Sequence, residues 1–221
     1  MITERMTESA LRFMGVPPSG RTDGDRHAVR RVFERLQSLG PVRWVWRRAP
    51  IALEESGVLL DGWLSVPGRD LTRIFAHCRS CFVLALTLGP AVDRAIALAG
   101  SLSDPQALAL DACASVWADA ECDRLDEEIT VKLPPDEYPT MRFSPGYGDV
   151  PSSASRGIIQ MLDATRRIGL TMTASGMMAP VKSITALIGI SDRHENRRRD
   201  CSSCGRRGVC SFMKEGETCG G

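Results

Sequence analysis

Two short stretches of this chain hold residue types that can do chemistry. The first is Arg142-Phe143-Ser144-Pro145-Gly146-Tyr147-Gly148-Asp149, followed by Val150-Pro151. A lone arginine, a tyrosine and an aspartate on a Gly/Pro-dense coil are poor core material and good material for a rigid cradle. Pro145 fixes its own φ and pushes Ser144 toward an extended backbone. Gly146 and Gly148 permit a sharp turn or a close approach to a ligand. Arg142 offers a planar fork of donors that matches a carboxylate. Composition alone fits a connecting loop with ordinary turn chemistry equally well.

The second stretch is Cys201-x2-Cys204-x5-Cys210-x8-Cys219, with Gly205, Gly208 and Gly216 between the cysteines. Four thiolates at short spacing on flexible backbone suit tetrahedral zinc or an iron–sulfur cluster. Neither spacing is the standard one, so redox-active or unligated thiols remain a third reading. Arg206 and Arg207 would offset thiolate charge. The chain has eight cysteines in all, and no export signal is visible, so thiols or metal ligands are expected rather than disulfides. Cys78-x2-Cys81, Cys113 and Cys122 are expected to be ordinary buried cysteines.

Arg142-x-x-x-Gly146-Tyr147 resembles the S-adenosylmethionine-binding motif of the activation domain of vitamin B12-dependent methionine synthase. Two further segments follow in the same order. Ile168-Gly169-Leu170-Thr171-Met172-Thr173-Ala174-Ser175-Gly176-Met177-Met178-Ala179-Pro180 is similar to the family's Leu-Thr-Glu-Ser segment ending in Met-x-Pro. Lys182-Ser183-Ile184-Thr185-Ala186 resembles its Ser-Val-Ser strand. The specific resemblance spans about residues 105–191. It implies S-adenosylmethionine as ligand, with Arg142 on the methionyl carboxylate and the backbone around Ser144, Gly146 and Tyr147 hydrogen-bonding it. The Tyr147 ring would wall the site. Asp119 falls where the family has a Glu for the ligand's α-amino group, with Glu121 and Asp123 beside it. The family's Thr-Glu-Ser reads Thr173-Ala174-Ser175 here, and its late tyrosine has no counterpart, which puts some adenine or cobalamin contacts in doubt.

The resemblance also implies a reaction. The family restores an oxidised Co(II) corrinoid with one electron and a methyl group from S-adenosylmethionine. The corrinoid itself would come from a partner, a methionine synthase or related corrinoid protein. The corrinoid-binding pattern Asp-x-His-x-x-Gly is missed twice, at Asp25-Arg26-His27 and Asp192-Arg193-His194, with Arg30 and Arg197 in place of the Gly. The third histidine, His77, reads as a helix-end residue. An iron–sulfur tail would supply an in-built electron relay; otherwise a separate reductant protein is implied. The alternative is an S-adenosylmethionine-binding accessory or scaffold subunit with a structural zinc tail and no catalysis of its own.

Those residues need elements to hold them. Apolar spacing predicts a helix over 25–39 with Asp25 as its N-cap, strands at 42–46 and 58–60, and a short helix over 69–77. The apolar run Cys81–Thr87 predicts a buried strand, followed after Gly89-Pro90 by a helix to Ala99. The longest helical pattern runs from Asp104, with Pro105 at its start, to about Val131. Its acidic face (Asp119, Glu121, Asp123, Asp126, Glu127, Glu128) reads as solvated. A single helix is expected over 153–168, ended by Gly169, and a strand over 183–191. Helices and strands without βα alternation favour α+β with an antiparallel sheet; the resemblance implies a bent or twisted antiparallel sheet with packed helices. Residues 1–192 are expected to form one domain and 193–221 an Arg/Cys-rich tail.

The 221 residues can bury a substantial core. The formal net charge of +1 gives no electrostatic case for nucleic acid. No apolar run is long enough for a membrane span, and no signal peptide is seen, so a cytoplasmic protein is expected.

Overall fold

The computed structural model describes residues 1–195. The chain forms two compact units, each assembled from separated segments. Unit 1 comprises Met1–Trp46, Leu84–Val131 and Ser155–Thr185; unit 2 comprises Arg47–Val83, Lys132–Ala154 and the chain from Ala186 onward.

Unit 1 is mainly helical. Helices α1 (Glu4–Phe13), α2 (Asp23–Ser38) and α4 (Pro90–Leu102) pack against α5 (Asp104–Val131). The middle of α5 is buried on nearly every face, through Ala112, Cys113, Ala114, Val116, Trp117 and Ala118, as expected of a helix surrounded by others. Its acidic face is partly ion-paired rather than only solvated. Arg124 sits between Glu121, at 3.0 Å, and Glu128, at 3.3 Å, and Trp117 Nε1 donates to Glu121 at 3.3 Å.

The N-terminus of α2 departs from expectation. Thr22, not Asp25, is the N-cap. The Thr22 hydroxyl accepts from the Asp25 N–H at 3.2 Å, and the Asp25 carboxylate accepts from the Thr22 N–H at 2.9 Å. Asp25 satisfies a donor from inside the first turn, completing a capping box. Helix α1, capped by the Thr3 hydroxyl on the Met6 N–H at 3.2 Å, was not expected from apolar spacing.

The helix expected over 153–168 is broken. A 3-10 turn, Ser152–Ala154, leads into α6 (Ser155–Met161), and α7 (Ala164–Ile168) follows. Asp163 between them takes φ +50°, a left-handed backbone that Asp tolerates better than most residues. The break re-phases the chain so that Ile158, Ile159, Met161, Leu162, Ala164 and Ile168 are all buried; one straight helix would expose part of that set. Gly169, at φ +72°, ends α7 as expected. Leu170 N–H reaches back to the Ala164 carbonyl at 3.2 Å, a Schellman-type close.

Unit 2 holds most of a six-stranded sheet. Its strands are β1 (Arg43–Glu54), β2 (Gly57–Leu60), β3 (Leu64–Pro67), β4 (Cys78–Thr87), β5 (Tyr138–Pro139) and β8 (Ser183–Ser191). The order is β3-β2-β1-β4-β8-β5. Strands β1, β2 and β3 form an antiparallel meander with Ile51 opposite Leu60 and Leu60 opposite Leu64. Strand β5 pairs antiparallel with β8, Tyr138 opposite Ser191. The inner strands β4 and β8 are buried almost throughout, which fits their largely apolar sequences. Strands β1 and β4 both begin or extend beyond their expected limits, because sheet pairing carries the backbone past the apolar run. A short helix, α3 (Arg69–Ile74), packs on β2.

The α+β fold with an antiparallel sheet is therefore present. Among the described residues, no helix is long and apolar enough to cross a membrane. The expected tail, 193–221, lies almost wholly outside the described residues.

Candidate functional site

The loop from Thr140 to Ala154 belongs to unit 2. Leaving β5, it continues beside β8. Thr140 N–H donates to the Gly189 carbonyl at 2.8 Å, and Gly189 N–H donates to the Thr140 hydroxyl at 3.0 Å. Phe143 and Leu187 exchange two backbone hydrogen bonds of 2.8 Å each. Arg142 is thus bracketed by residues pinned to a buried strand, and it is only 5% exposed. The backbone on either side of Arg142 is thereby fixed, and its side chain is packed within the protein rather than free in solvent.

Beyond Arg142 the loop closes on itself. Tyr147 N–H donates to the Ser144 carbonyl at 3.2 Å, Val150 N–H to the Tyr147 carbonyl at 3.2 Å, and Gly146 N–H to the Val150 carbonyl at 2.9 Å. Tyr147 stands 67% exposed at the outside of this turn. Gly148 has φ +55°, a backbone that side chains rarely adopt, and a Cβ there would crowd the Asp70 carboxylate, so glycine suits the position. Next to it, the Asp149 carboxylate reaches the start of α3. It accepts from the Arg69 N–H at 2.7 Å and from the Asp70 N–H at 3.1 Å. Helix α3 has Gly68 at its N-cap and no side-chain cap of its own; Asp149 supplies one from the loop. The Asp70 and Arg69 hydrogen bonds hold the Asp149 carboxyl below the usual carboxylate range, against a smaller burial effect.

The strand leading to the loop is also tied down. Arg48 on β1 makes a two-pronged contact with Glu137, at 2.8 and 2.6 Å, and its Nε donates to Ser80 on β4 at 2.9 Å. All three guanidinium nitrogens are used in one plane. The Tyr138 ring meets His194 with centroids 3.9 Å apart, tilted by 40°.

Unit 1 holds the other two motif segments. Strands β6 (Thr171–Met172) and β7 (Met178–Ala179) form a hairpin. Thr173 closes its turn: its N–H donates to the Met177 carbonyl at 2.8 Å, and its hydroxyl accepts from the Met177 N–H at 3.1 Å. Ala174, where the family has its acid, is exposed on that turn. After the cis Ala179–Pro180 bond, the Asp93 carboxylate on α4 receives the Val181 N–H at 2.6 Å and the Lys182 N–H at 3.3 Å. Lys182 Nζ lies 2.8 Å from Asp111 and 2.8 Å from the Ser115 hydroxyl, both on α5. The Ser183 hydroxyl donates to the Pro180 carbonyl at 2.7 Å and accepts from the Thr87 hydroxyl at 2.8 Å, and Thr185 donates to Ser155 at 2.9 Å. Each buried hydroxyl of the Ser-x-Thr strand is satisfied, which is what burial demands of it.

Of the residues expected at a ligand site, Arg142, Ser144, Gly146 and Tyr147 lie together on one loop of unit 2. Asp119 lies exposed on α5 in unit 1. Cys201, Cys204, Cys210 and Cys219 lie outside the described residues. Cys78, Cys81, Cys113 and Cys122 are all buried. Burial pushes Cys78, Cys81 and Cys113 up to about 12. His27 sits within α2 with Nδ1 2.8 Å from the Asp23 carbonyl. Among the described residues, no group of three or more His, Cys, Asp or Glu is arranged to hold a metal ion. Asp149 and Asp93 were not expected as organising residues. An uncapped helix beginning at Gly68-Arg69 was the available signal for the first.

Residues 97–202 match the family model of the vitamin B12 dependent methionine synthase activation domain. Among solved structures, the chain is similar to the crystal structure of the MetH reactivation domain bound to AdoHcy. The TM-score is 0.54 at 14% identity, covering 76% of this chain and 67% of that one. At that identity the likeness speaks for the fold. No curated protein matches the chain. The family-model match thus takes in residues 97–202, a little under half of the chain, on a fold similar to that of the reactivation domain.

Proposed function

We propose that the loop from Arg142 to Val150 binds S-adenosylmethionine and offers its methyl group to a corrinoid carried by a partner protein. The observation that carries this reading is a buried, strand-pinned Arg142 beside a self-closed turn bearing an exposed tyrosine. The family-model match and the AdoHcy bound to the similar MetH domain support the choice of ligand. In this reading Arg142 pairs with the methionyl carboxylate. Backbone groups around Ser144, Gly146 and Tyr147 hydrogen-bond the ligand, and the Tyr147 ring covers it. Asp119 is assigned to the α-amino group by resemblance alone, and is tested separately. The partner's corrinoid would take one electron, from a reductant protein or a tail cluster, and the sulfonium methyl group, leaving AdoHcy; this chain would supply placement and electrostatics.

Calorimetry with AdoHcy tests the binding. Arg142→Lys keeps the charge but loses the planar fork, and should weaken binding by about tenfold; Arg142→Ala should weaken it by about a hundredfold. Unchanged affinity in both sinks the assignment. Asp119→Asn should weaken binding by about tenfold if it meets the amino group. The reaction is tested by mixing the protein with a Co(II)-corrinoid partner, a reductant and S-adenosylmethionine, and following the cobalt spectrum. No methyl–cobalt formation under any reductant would leave only a binding role. We further propose that the four tail cysteines hold an iron–sulfur cluster or zinc. Anaerobic purification with a visible spectrum and metal analysis decides between them, and a colourless zinc protein removes the electron-relay reading.

A further inference from the structure

We propose that Asp149 is a positioning residue for Tyr147: its carboxylate ties the outer limb of the loop to α3, separately from the strand contacts that hold Arg142. The inference rests on the ligand assignment above and adds a division of labour within the site. The two limbs of the loop have different anchors. The inner limb, through Thr140 and Phe143, is held by four backbone or hydroxyl hydrogen bonds to β8. The outer limb has its own turn bonds, which fix its shape but tie it to no other element, and it buries Val150 beside Gly68. The two side-chain contacts at 2.7 and 3.1 Å from Asp149 to the Arg69 and Asp70 amides provide its hydrogen-bonded attachment to α3.

The charges around the joint are matched to that purpose. Asp149 meets amide donors of α3, and the Asp70 carboxylate is engaged by Arg73 at 3.0 Å rather than left to repel it. Gly148, with no Cβ, lets the loop close against Asp70. Tyr147 is two residues from the brace and its ring is exposed, so no packing of its own fixes the ring. Without the brace, ordering the outer limb would be charged against ligand binding. With it, that ordering is already part of the fold.

A double-mutant cycle on the full chain tests this, read by calorimetry with AdoHcy. Asp149→Ala should weaken binding by about tenfold. Combined with Tyr147→Ala it should add almost nothing, because the group it positions is gone; combined with Arg142→Lys it should retain its full effect. Asp149→Asn, which keeps one acceptor oxygen, should recover part of the loss. Equal affinity for Asp149→Ala and wild type, or a full effect in the Tyr147→Ala background, overturns the proposal. Amide hydrogen exchange tests the brace without ligand. Asp149→Ala should speed exchange at 146–150 and at 69–70 by at least about tenfold, and leave 140 and 143 unchanged. Exchange that rises equally on both limbs, or not at all, overturns it even if AdoHcy never binds; wild-type failure to bind with a limb-specific exchange change refutes the ligand assignment instead. Should Asp149→Ala fail to fold, Gly148→Ala breaks the same joint from the neighbouring position and must give the same limb-specific pattern.

Discussion

At the scale of single residues, two kinds of titrating group behave oppositely. Asp149 is held below the ordinary carboxylate value of 3.8 by the Asp70 and Arg69 amides. A lowered folded value means that its contribution is complete at neutral pH and is lost only as pH falls through that lowered value. The brace on the loop is therefore constant across the physiological range. Cys78, Cys81 and Cys113 are raised, from 9.0 to about 12, by burial. Their native form is the neutral thiol, so folding loses stability only as pH climbs past the unfolded value near 9.0. Thiolate is the reactive species. Native alkylation at about pH 8 should accordingly leave these cysteines unlabelled until denaturant is added, with peptide mapping as the readout; rapid labelling of Cys78 in the native protein would contradict its burial. The type of Arg142 was readable in the sequence, as was its motif. Its burial was not, because the strand that pins its neighbours, β8, lies far downstream. Asp149 was harder still, since its partners on α3 lie far upstream and a loop aspartate has many uses.

At the scale of elements, legibility followed how local the determining forces are. Helix α5 and strand β8 were bounded correctly from apolar pattern and terminal signals, because those signals lie within each element. The helix expected over 153–168 failed for a tertiary reason: burying Met161, Leu162 and Ala164 together requires a backbone break that periodicity does not encode. That break is testable. A β-branched residue is strained at the φ of +50° found at Asp163, so Asp163→Val should destabilise the protein by about 1–2 kcal/mol. Asp163→Gly should not, since glycine takes that backbone freely and the exposed Asp163–Arg166 ion pair at 2.6 Å is worth little. Denaturant melts of the two variants check this; equal destabilisation would point to the lost ion pair and not to the backbone. The hairpin of β6 and β7 was missed because each strand is two residues long, and Thr173 rather than an apolar alternation organises it.

At the scale of the whole molecule, both units are assembled from three chain segments each, and the chain passes between them at residues 46–47, 83–84, 131–132, 154–155 and 185–186. Three of these passages fall inside β1, β4 and β8. Apolar pattern along the chain carries no trace of this interleaving, which is visible only once long-range pairing is known. Shortening the chain to residues 1–195 should leave the thermal midpoint and AdoHcy affinity within error of the full chain if the described residues fold without the tail; a large drop in either would bind the tail into the fold. The interleaving also governs how the protein is made. Unit 1 lacks its last segment until Thr185 has been synthesised, and unit 2 lacks the Ala186 end of the inner strand β8 until later still. Neither can complete its core while most of the polypeptide is on the ribosome, and much of its pairing joins residues far apart in sequence, a topology that folds slowly. Newly made chains therefore pass through a late interval with the β8-facing edge of β4 unpaired, which makes chaperone dependence during expression, rather than instability of the finished fold, the expected bottleneck in producing it.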